Sequence, residues 1–347
     1  MLYEADPELL GEVLPGEPSF RVEQLRSWLY ETPVTTTAAM SNFPAALRER
    51  LADRLWPFRV DACQTSSDGA TTKWLFRAPD GASIETVLMG YERRATVCIS
   101  SQAGCAMGCT FCATGQFGFE RHLTTGEIVA QVAYAAAAMR AGIVPGGVGG
   151  PTNVVFMGMG EPLANYPRVR AAIDRLTGAM GMSARNITVS TVGVVPGMRR
   201  LATEPWPVKL AVSLHAADDE LRTRLVPLNR RYPLREIIDA AAAYFAAKGR
   251  RVSLEWTLID GVNDGFDQAD KLAAIAGELA AHVNLIALNP TPLSPDRPPS
   301  GNRVQAFADR VAARGVTVTV RDTKGRDIDA ACGQLRVRSA GQTAVLP

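Results

Sequence analysis

The chain has 347 residues, of which 47% are hydrophobic and 21% charged, a composition typical of a globular protein with one large domain and room for a small accessory one. Its formal net charge of only +2 argues against a general nucleic-acid-binding coat, and no apolar run approaches the ~20 residues of a membrane helix. The first residues show no basic segment followed by an apolar one, so we expect a cytoplasmic protein without a signal peptide.

Residues 1–90 are expected to form a small α/β accessory domain. Apolar residues at helical spacing predict two short helices, whose arginines could contact a phosphate backbone or simply form a solvated face. A β-hairpin around Asp80-Gly81 is expected to link this domain to the rest of the chain. The helices are predicted at 20–30 and 45–55, and the hairpin strands at 74–76 and 84–88.

Strands and helices alternate regularly from about residue 95. Apolar, β-branched runs predict strands at 96–100, 154–157, 187–191, 208–214, 252–259, 283–288 and 316–321. Helical patterns occupy 126–140, 167–176, 195–201, 234–248, 268–280 and 303–313, and Thr124 with Glu127 predicts a capping box for the first. This alternation implies a parallel sheet, which we expect to curve into a partial (β/α)6 barrel over 91–325, followed by a C-terminal tail at 326–347.

Three of the six cysteines form a compact motif. Cys105, Cys109 and Cys112 are spaced C-x3-C-x2-C in a loop after the first predicted barrel strand, at the edge where barrel active sites lie. Such clustering in a long chain without an export signal favours metal binding over disulfides. Three thiolates can hold three irons of a [4Fe–4S] cluster and leave the fourth iron open for a substrate. The alternative is a structural zinc site, with His122 as the fourth ligand.

The segment Cys105-Ala106-Met107-Gly108-Cys109-Thr110-Phe111-Cys112 resembles the signature of the radical SAM superfamily, whose members open S-adenosylmethionine (SAM) reductively at an iron–sulfur cluster. The resemblance implies that Phe111 shields the cluster or packs near the SAM adenine. A second segment, Gly158-Met159-Gly160-Glu161-Pro162, resembles the Gly-Gly-Glu-type segment of the superfamily. There Gly160 would let the backbone approach the methionine part of SAM, and Glu161 would accept a hydrogen bond from its ammonium group.

Polar residues stand at the carboxyl ends of several predicted barrel strands. The carboxyl ends of parallel strands meet at one mouth, so we expect these residues to complete the SAM site. They are Ser190 after the third strand, Ser213 and His215 with Leu214 between them after the fourth, and Asn289 after the sixth.

Five segments resemble the RlmN/Cfr family of radical SAM RNA methyltransferases, and together they span almost the whole chain. The most specific is the Ala-Ala-Cys-Gly-Gln-Leu sequence near the C-terminus. The segments are Gly16-Glu17-Pro18-x-Phe20-Arg21, Ile84-Glu85-Thr86-Val87, Cys98-Ile99-Ser100-Ser101-Gln102-x-Gly104-Cys105, Gly118-Phe119-x-Arg121 and Asp327-Ile328-Asp329-Ala330-Ala331-Cys332-Gly333-Gln334-Leu335.

This narrower resemblance implies methylation of C2 of an adenine, in 23S rRNA at the peptidyl-transferase centre and next to some tRNA anticodons. It implies that one SAM methylates Cys332, and that a second SAM yields a radical which takes hydrogen from the S-methyl group. Cys98 would then close a disulfide with Cys332 as the base leaves, and Glu85 would accept a proton. A low-potential electron donor such as flavodoxin or ferredoxin is implied as well. The accessory domain would bind RNA. Further candidates for phosphate or stacking contacts, which could equally be solvated surface, are Arg93-Arg94, Arg121-His122, Arg199-Arg200, Arg230-Arg231 and Arg250-Arg251.

Two alternatives remain open at this point. Methylation at C8 of the rRNA adenine would use the same cysteines, so the motifs do not separate it from C2 methylation. A non-catalytic RNA-binding protein with structural zinc would need neither iron nor Cys332. We expect a monomer, because no dimerisation heptad is seen. Cys63 matches no family role and is expected to be structural.

Overall fold

The computed structural model describes residues 1–142, 144, 149–291, 294–321, 324–331 and 333–335. Cys332, which the sequence analysis singled out, lies outside the described residues, as does the chain beyond residue 335. Among the described residues, every helix is too short or too polar to cross a membrane.

The N-terminal segment contains the two predicted helices. Helix α1 spans Ser19–Arg26 and continues into a π-helical turn at Ser27–Glu31, whereas α2 spans Ala45–Ala52. Pro18 and Pro44 stand directly before the two helices, in extended conformation, where a proline is tolerated because the first helical N–H groups have no partner within the helix. Both predicted helices are therefore confirmed, and α2 ends three residues earlier than expected.

Twelve strands are found within the described ranges. They are β1 Arg59–Thr65, β2 Thr71–Arg77, β3 Ser83–Tyr91, β4 Arg94–Cys98, β5 Gln102–Gly104, β6 Phe119–His122, β7 Asn153–Phe156, β8 Ile187–Thr191, β9 Lys209–Ser213, β10 Ser253–Leu258, β11 His282–Ala287 and β12 Thr317–Val320. All except β5 and β6 form one sheet, in the order β1-β2-β3-β4-β7-β8-β9-β10-β11-β12. Strands β4 and β7 to β12 run parallel to one another, which confirms the predicted partial (β/α)6 barrel.

Eight further helices accompany these strands. They are α3 Ala113–Gln116, α4 Thr125–Arg140, α5 Tyr166–Thr177, α6 Val195–Thr203, α7 Asp219–Leu225, α8 Leu234–Lys248, α9 Phe266–Glu278 and α10 Gly301–Ala312. The capping box at the start of α4 is present in both directions, with Thr124 and Glu127 each accepting from the other's backbone N–H. The sequence analysis missed α3 and α7, which are too short to show a helical period.

The hairpin predicted around Asp80 is confirmed as β2 and β3, but it does not stand apart from the barrel. Strand β3 pairs with β2 on one side and with β4 on the other, both antiparallel, so the hairpin and β1 extend the barrel sheet. The expected boundary between residues 90 and 91 falls inside β3. The division into 1–90, 91–325 and 326–347 stays a proposal.

The two faces of the barrel sheet differ in polarity. Side chains such as Val189, Val212 and Trp256 are buried in the main apolar core. Residues one position along point to the opposite face, because side chains alternate along a strand. The parallel register sets Ser213 opposite Glu255 on that second face. Polar side chains of neighbouring strands therefore gather inside the barrel, toward its carboxyl edge.

Candidate active site

The cysteine triplet lies on a loop held by the two-stranded β5–β6 hairpin. The Cys105 N–H donates to the carbonyl oxygen of Gly118 at 2.8 Å, and the Cys112 N–H donates to that of Cys109 at 3.2 Å. Gly104 has a φ of +71°, and a Cβ there would overlap the Gly118 carbonyl, so only glycine fits this turn. The hairpin, which the sequence analysis missed, thus determines how the three thiols are presented.

Burial and the neighbouring thiols shift the ionisation of Cys105 and Cys109. Burial raises the pKa of Cys105 to about 12, and the neighbouring Cys112 adds to the shift. Burial also raises the pKa of Cys109 well above its usual range, with further contributions from Cys112 and Cys105. A bound metal reverses this preference, because thiolates are the ligating form. The donor set therefore fits a group that brings positive charge, as the iron of a cluster does.

The described residues contain no group of three or more His, Cys, Asp or Glu side chains gathered tightly enough for a single metal ion. His122, the fourth ligand in the zinc alternative, has its Nδ1 atom 3.0 Å from Gln102 Nε2. Its ring also lies edge-on to Phe119 at a centroid distance of 5.2 Å. His122 therefore helps to hold the β5–β6 hairpin together.

A small apolar cluster, separate from the main core, lies against the cysteine loop. The Phe111 ring meets the His215 ring edge-on at 4.7 Å, and the Thr110 N–H donates to the carbonyl oxygen of Leu225 at 3.1 Å. The loop is thereby fastened to α7 and to the end of β9. The buried members of this cluster are Cys109, Phe111, Ala216, Leu221, Leu225, Val226, Ile259 and Leu288.

Glu161 follows β7 and is only 3% exposed. Its carboxylate accepts from the N–H of Leu163 at 3.0 Å and from the N–H of Val192 at 2.9 Å. Burial nevertheless raises the pKa of Glu161 to about 7. A cationic ligand such as an ammonium group would lower that pKa again, because an adjacent opposite charge favours the carboxylate. The residue therefore fits its predicted partner in SAM.

Contacts within the protein itself explain why residue 160 is a glycine. Its φ is +95°, and a Cβ would come within 2.5 Å of Gln102 Cβ. Gln102 approaches so closely because its Oε1 atom accepts from the Glu161 N–H at 2.8 Å. Glycine is therefore needed here to let Gln102 orient the segment, and its contact with SAM stays a prediction.

A cavity of about 880 Å³, counted with its open mouth, lies at the carboxyl edge of the barrel strands. The predicted residues that line it are Cys109, Cys112, Gly160, Glu161, Ser190, Ser213, His215 and Asn289. The Ser190 and Ser213 hydroxyls are 3.4 Å apart. Leu214 differs, because its side chain is buried in the main core and its N–H donates to the Glu255 carbonyl oxygen at 3.0 Å. The strand ends thus converge as expected, while their contacts with SAM remain predictions.

His215 combines burial with backbone strain. Its φ is +61°, in the left-handed region that residues other than glycine rarely adopt. Its Nδ1 atom accepts from the Thr257 N–H at 3.0 Å, and its carbonyl oxygen accepts from Asn263 at 2.8 Å. Burial lowers the pKa of His215 to about 3. The ring is therefore neutral at neutral pH, with its proton on Nε2 as a donor, an assignment inferred from the Nδ1 contact.

Glu255 of β10 lines the same cavity and was missed by the sequence analysis. Its Oε1 atom accepts from Ser253 at 3.0 Å and from Asn284 at 2.8 Å. Its Oε2 atom has no hydrogen-bond partner among the described residues, although Arg321 Nη1 lies 3.5 Å away. An inward-facing Glu in a buried strand was the available signal. A buried, unsatisfied carboxylate oxygen beside a cavity fits a polar ligand such as SAM.

A second cavity, of about 600 Å³, adjoins the first. Cys98 of β4 lines this second cavity, and so does Ala331, the residue before position 332. The side chains common to both cavities are Met157, Ile286, Asn289, Arg321 and Leu335. Cys98 therefore lines a cavity that shares part of its wall with the predicted SAM site.

The described part of the C-terminal tail folds back onto the cysteine loop. The Gly333 carbonyl oxygen accepts from the Ala113 N–H at 2.8 Å, and the Leu335 carbonyl oxygen accepts from the Thr114 hydroxyl at 2.7 Å. Both partners lie in α3, directly after Cys112. The described tail residues Gly333 and Leu335 therefore lie against α3 and line the first cavity.

Glu85 is buried in β3 rather than at the surface of a hairpin. Its Oε1 atom forms an ion pair with Lys73 Nζ at 3.1 Å, and Lys73 also donates to the Asp329 carbonyl oxygen at 3.2 Å. Asp329 is three positions before Cys332. The carboxylate is thus linked through Lys73 to the tail. Its role as a proton acceptor stays a prediction.

Cys63 lies half-buried on β1, where burial raises the pKa of its thiol. None of the five described cysteines is joined to another in a disulfide. Among the arginines that are candidates for RNA contacts, Arg121 is held by two carboxylates, Glu127 at 2.7 Å and Asp80. Arg121 is therefore engaged in ion pairs within the protein, and the other arginines are better candidates for RNA contacts.

Comparisons with known proteins agree with this geometry. A profile of the radical SAM superfamily matches residues 99–273, and a profile described as the ribosomal RNA large subunit methyltransferase N-terminal domain matches residues 13–56. A crystal structure of a radical SAM methyltransferase from Sphaerobacter thermophilus superimposes with a TM-score of 0.89 and 48% identity, covering 96% of this chain and 98% of that one.

Curated relatives match over nearly the whole chain. A protein of Frankia alni is 52% identical over 94% of this chain and 80% of its own length, and one of Thermobifida fusca is 50% identical over 98% and 95%. Both are named probable dual-specificity RNA methyltransferase RlmN. The fold and the cysteine loop define a radical SAM methyltransferase, a SAM-dependent transferase with an iron–sulfur cluster. Within that class, the chain belongs to the RlmN family.

Proposed function

We propose that this enzyme methylates C2 of an adenine in 23S rRNA and of the adenine 3′ to the anticodon in tRNAs, through an S-methylcysteine at Cys332 and two molecules of SAM. The relatives' name supports RNA as the substrate class. One geometric observation carries the mechanism: Cys98 lines a cavity that shares a wall with the predicted SAM cavity. The C8 alternative concerns the rRNA adenine alone, so the dual-specificity name of both relatives favours the C2 activity, which covers rRNA and tRNA.

The cofactor proposed for the cysteine loop is a [4Fe–4S] cluster held by Cys105, Cys109 and Cys112. When bound, the cluster and SAM together supply one-electron reductive chemistry that ordinary side chains lack. The residues of this chain would orient SAM: Glu161 would accept from its ammonium group, and neutral His215 would donate from Nε2. The remaining proposed contacts are Gly160, Ser190, Ser213, the backbone of Leu214, and Asn289.

The two adjoining cavities support separate chemical roles for Cys332, Glu85 and Cys98. Cys332 would carry the methyl group and form a covalent link to the adenine, and Glu85 would accept the proton that the base must lose. The Cys98 thiolate would then attack the sulfur of Cys332, so that an S–S bond forms as the bond between that sulfur and the transferred carbon breaks. The electron pair of the broken bond would pass to this carbon, which stays on the base and takes up a proton to become the methyl group. The position of Ala331 in the Cys98 cavity, and of Gly333 in the neighbouring one, supports this pairing.

The substrate and partner proposals extend to the whole chain. The match of residues 13–56 to a methyltransferase N-terminal domain supports 1–90 as an accessory domain that binds RNA. We further propose a cytoplasmic monomer that receives electrons from a low-potential donor such as flavodoxin or ferredoxin.

The proposal is tested by mass spectrometry of RNA nucleosides. The cluster-reconstituted protein is incubated anaerobically with SAM, a reductant, and rRNA and tRNA from a strain that lacks this activity. Formation of 2-methyladenosine is expected in both RNAs. If 8-methyladenosine appears instead, the C2 assignment is wrong; if SAM is cleaved and neither product forms, the RNA assignment is wrong.

A matched pair of cysteine variants separates chemistry from stability. Cys332→Ala should abolish the methylated nucleoside, because the methyl group then has no carrier. Cys63→Ala, on the half-buried strand β1, should leave product formation unchanged. Normal turnover by Cys332→Ala would overturn the proposed S-methylcysteine route.

A further inference from the structure

Arg222 of α7 has a fully buried side chain, with 0% exposure. Its Nη2 atom donates to the Val192 carbonyl oxygen at 2.6 Å and to that of Ser213 at 3.2 Å, while Nε donates to the Leu214 carbonyl oxygen at 3.0 Å. Its Nη1 atom donates to Asn229 Oδ1 at 2.9 Å. One guanidinium group therefore joins the carboxyl ends of β8 and β9 to the helix that follows them.

The carbonyl groups that Arg222 binds belong to segments that shape the predicted SAM cavity. Val192 and Ser213 both line that cavity. The Val192 N–H in turn donates to Glu161 Oε2 at 2.9 Å. A continuous chain of hydrogen bonds thus runs from Glu161 through the Val192 peptide to Arg222 and on to the end of β9. Loss of the guanidinium would release two strand ends at once.

The same helix lies against the cysteine loop. Leu221 and Leu225 of α7 share the small apolar cluster with Cys109, and the Leu225 carbonyl oxygen accepts from the Thr110 N–H at 3.1 Å. Arg222 is the next residue along α7 after Leu221, so its buried side chain belongs to the turn of the helix that contacts the cysteine loop. Arg222 is therefore placed between the cysteine loop and the SAM cavity.

The charge of Arg222 is unusual in its surroundings. Within the described ranges, no carboxylate forms an ion pair with its guanidinium group, which is satisfied by carbonyl and amide oxygens instead. The carboxylate of Asp219 acts on it only from beyond ion-pair distance and itself accepts from Asn229 Nδ2 at 2.8 Å. An isolated charge in the protein interior is unfavourable unless an opposite charge lies nearby. A cluster on three thiolates supplies that opposite charge, since it is negative overall and gains a further negative charge when it accepts an electron.

We infer that Arg222 is a positioning residue with two effects: it holds the strand ends that orient SAM, and its buried charge raises the reduction potential of the cluster. This inference rests on the cluster proposed for Cys105, Cys109 and Cys112. It does not depend on which RNA is methylated. A cation near the cluster favours the reduced state, because reduction adds one negative charge beside it.

The experiment compares Arg222→Gln, which removes the charge, with Arg222→Lys, which keeps the charge but loses the fork of donors. Arg224→Gln is the matched control, since Arg224 lies on the same helix, is exposed and pairs only at the surface with Glu220 at 3.2 Å. Midpoint potentials of the reconstituted clusters are measured by redox titration followed by electron paramagnetic resonance, without RNA. Folding of each apoprotein is checked by urea unfolding, and SAM affinity by equilibrium binding.

Arg222→Gln should shift the midpoint potential to more negative values, whereas Arg222→Lys and Arg224→Gln should leave it near that of the wild type. Arg222→Lys should weaken SAM binding about tenfold, because charge-assisted hydrogen bonds to the strand ends are lost.

A wild-type potential in cluster-loaded Arg222→Gln overturns the electrostatic effect. If both Arg222 variants fail to fold, Arg222 is a structural brace and the inference is wrong. A wild-type protein that holds no cluster overturns both this inference and the proposed cofactor, whereas missing RNA products alone affect only the proposed function.

Discussion

Lys73 Nζ lies 3.1 Å from Glu85 Oε1, and the two side chains are 8% and 6% exposed. They stand on the adjacent antiparallel strands β2 and β3. The pair lies beside the barrel, where water cannot easily screen it, and Lys73 also holds the tail through the Asp329 carbonyl. Glu85 is therefore part of the framework that supports the tail, whatever chemistry it performs.

Removal of one partner of this pair should be costly. Glu85→Ala leaves the Lys73 ammonium buried without its carboxylate, so the free energy of unfolding should fall by about 3–5 kcal/mol in urea titrations. The control is Arg235→Ala, whose exposed guanidinium group pairs with Asp239 and Glu278, and there we expect a much smaller loss because surface ion pairs contribute little. Equal losses of unfolding free energy in the two variants would show that the buried Lys73–Glu85 pair stabilises the protein no more than a surface ion pair does.

The raised pKa of Glu161 predicts a pH-dependent stability of the apoprotein. The pKa rises from 4.5 to about 7 in the folded state, so folding favours the protonated carboxyl. This contribution is fully present below pH 4.5 and is lost as the pH rises through about 7, with a size on the order of 3 kcal/mol. Relative to Glu161→Gln, which mimics the protonated form, the wild type should lose stability across that window. A constant difference between the two urea-unfolding free energies would contradict the shift.

Gly160→Ala should destabilise the protein more than its backbone conformation alone requires. The φ of Gly160 is +95°, and a Cβ would meet Gln102 Cβ at 2.5 Å. Gly81 is the matched control, with a φ of +94° and nothing within 4 Å of its Cβ position. Both alanine variants should lose about 1–2 kcal/mol from strain, and Gly160→Ala about 1–3 kcal/mol more from overpacking. The measurement is urea unfolding, and equal losses would mean that Gln102 moves aside freely.

The Oε2 atom of Glu255 forms an ion pair with Arg321 at 3.5 Å but has no hydrogen-bond partner among the described residues, which predicts a direct contact with a polar ligand. Glu255→Gln removes the charge and half of the acceptor capacity at the wall of the first cavity, so SAM should bind about tenfold more weakly to the cluster-loaded protein. Glu278→Gln, at an exposed position on α9, should bind SAM as the wild type does. Unchanged affinity in Glu255→Gln would show that Oε2 meets only water.

The sequence by itself determined the class of the fold and most of the residues at the mouth of the barrel. Strand and helix periods are local, so the six barrel strands and α8 were predicted within about two residues. The spacing of Cys105, Cys109 and Cys112 is likewise a local pattern, and so is the capping box at Thr124. Polar residues at strand ends followed from the rule that parallel strands share one carboxyl edge.

Only the tertiary structure decided how these residues are supported. Glu255, Arg222 and Lys73 each act through partners distant in sequence or through a buried charge. Distant partners and buried charges leave no periodic pattern in the sequence. The β5–β6 hairpin escaped prediction because three- and four-residue strands are stabilised by pairing across the cysteine loop rather than by their own composition. Burial sets the pKa of Glu161 and the environment of Arg222, and burial is a property of the folded packing that no local stretch of residues encodes.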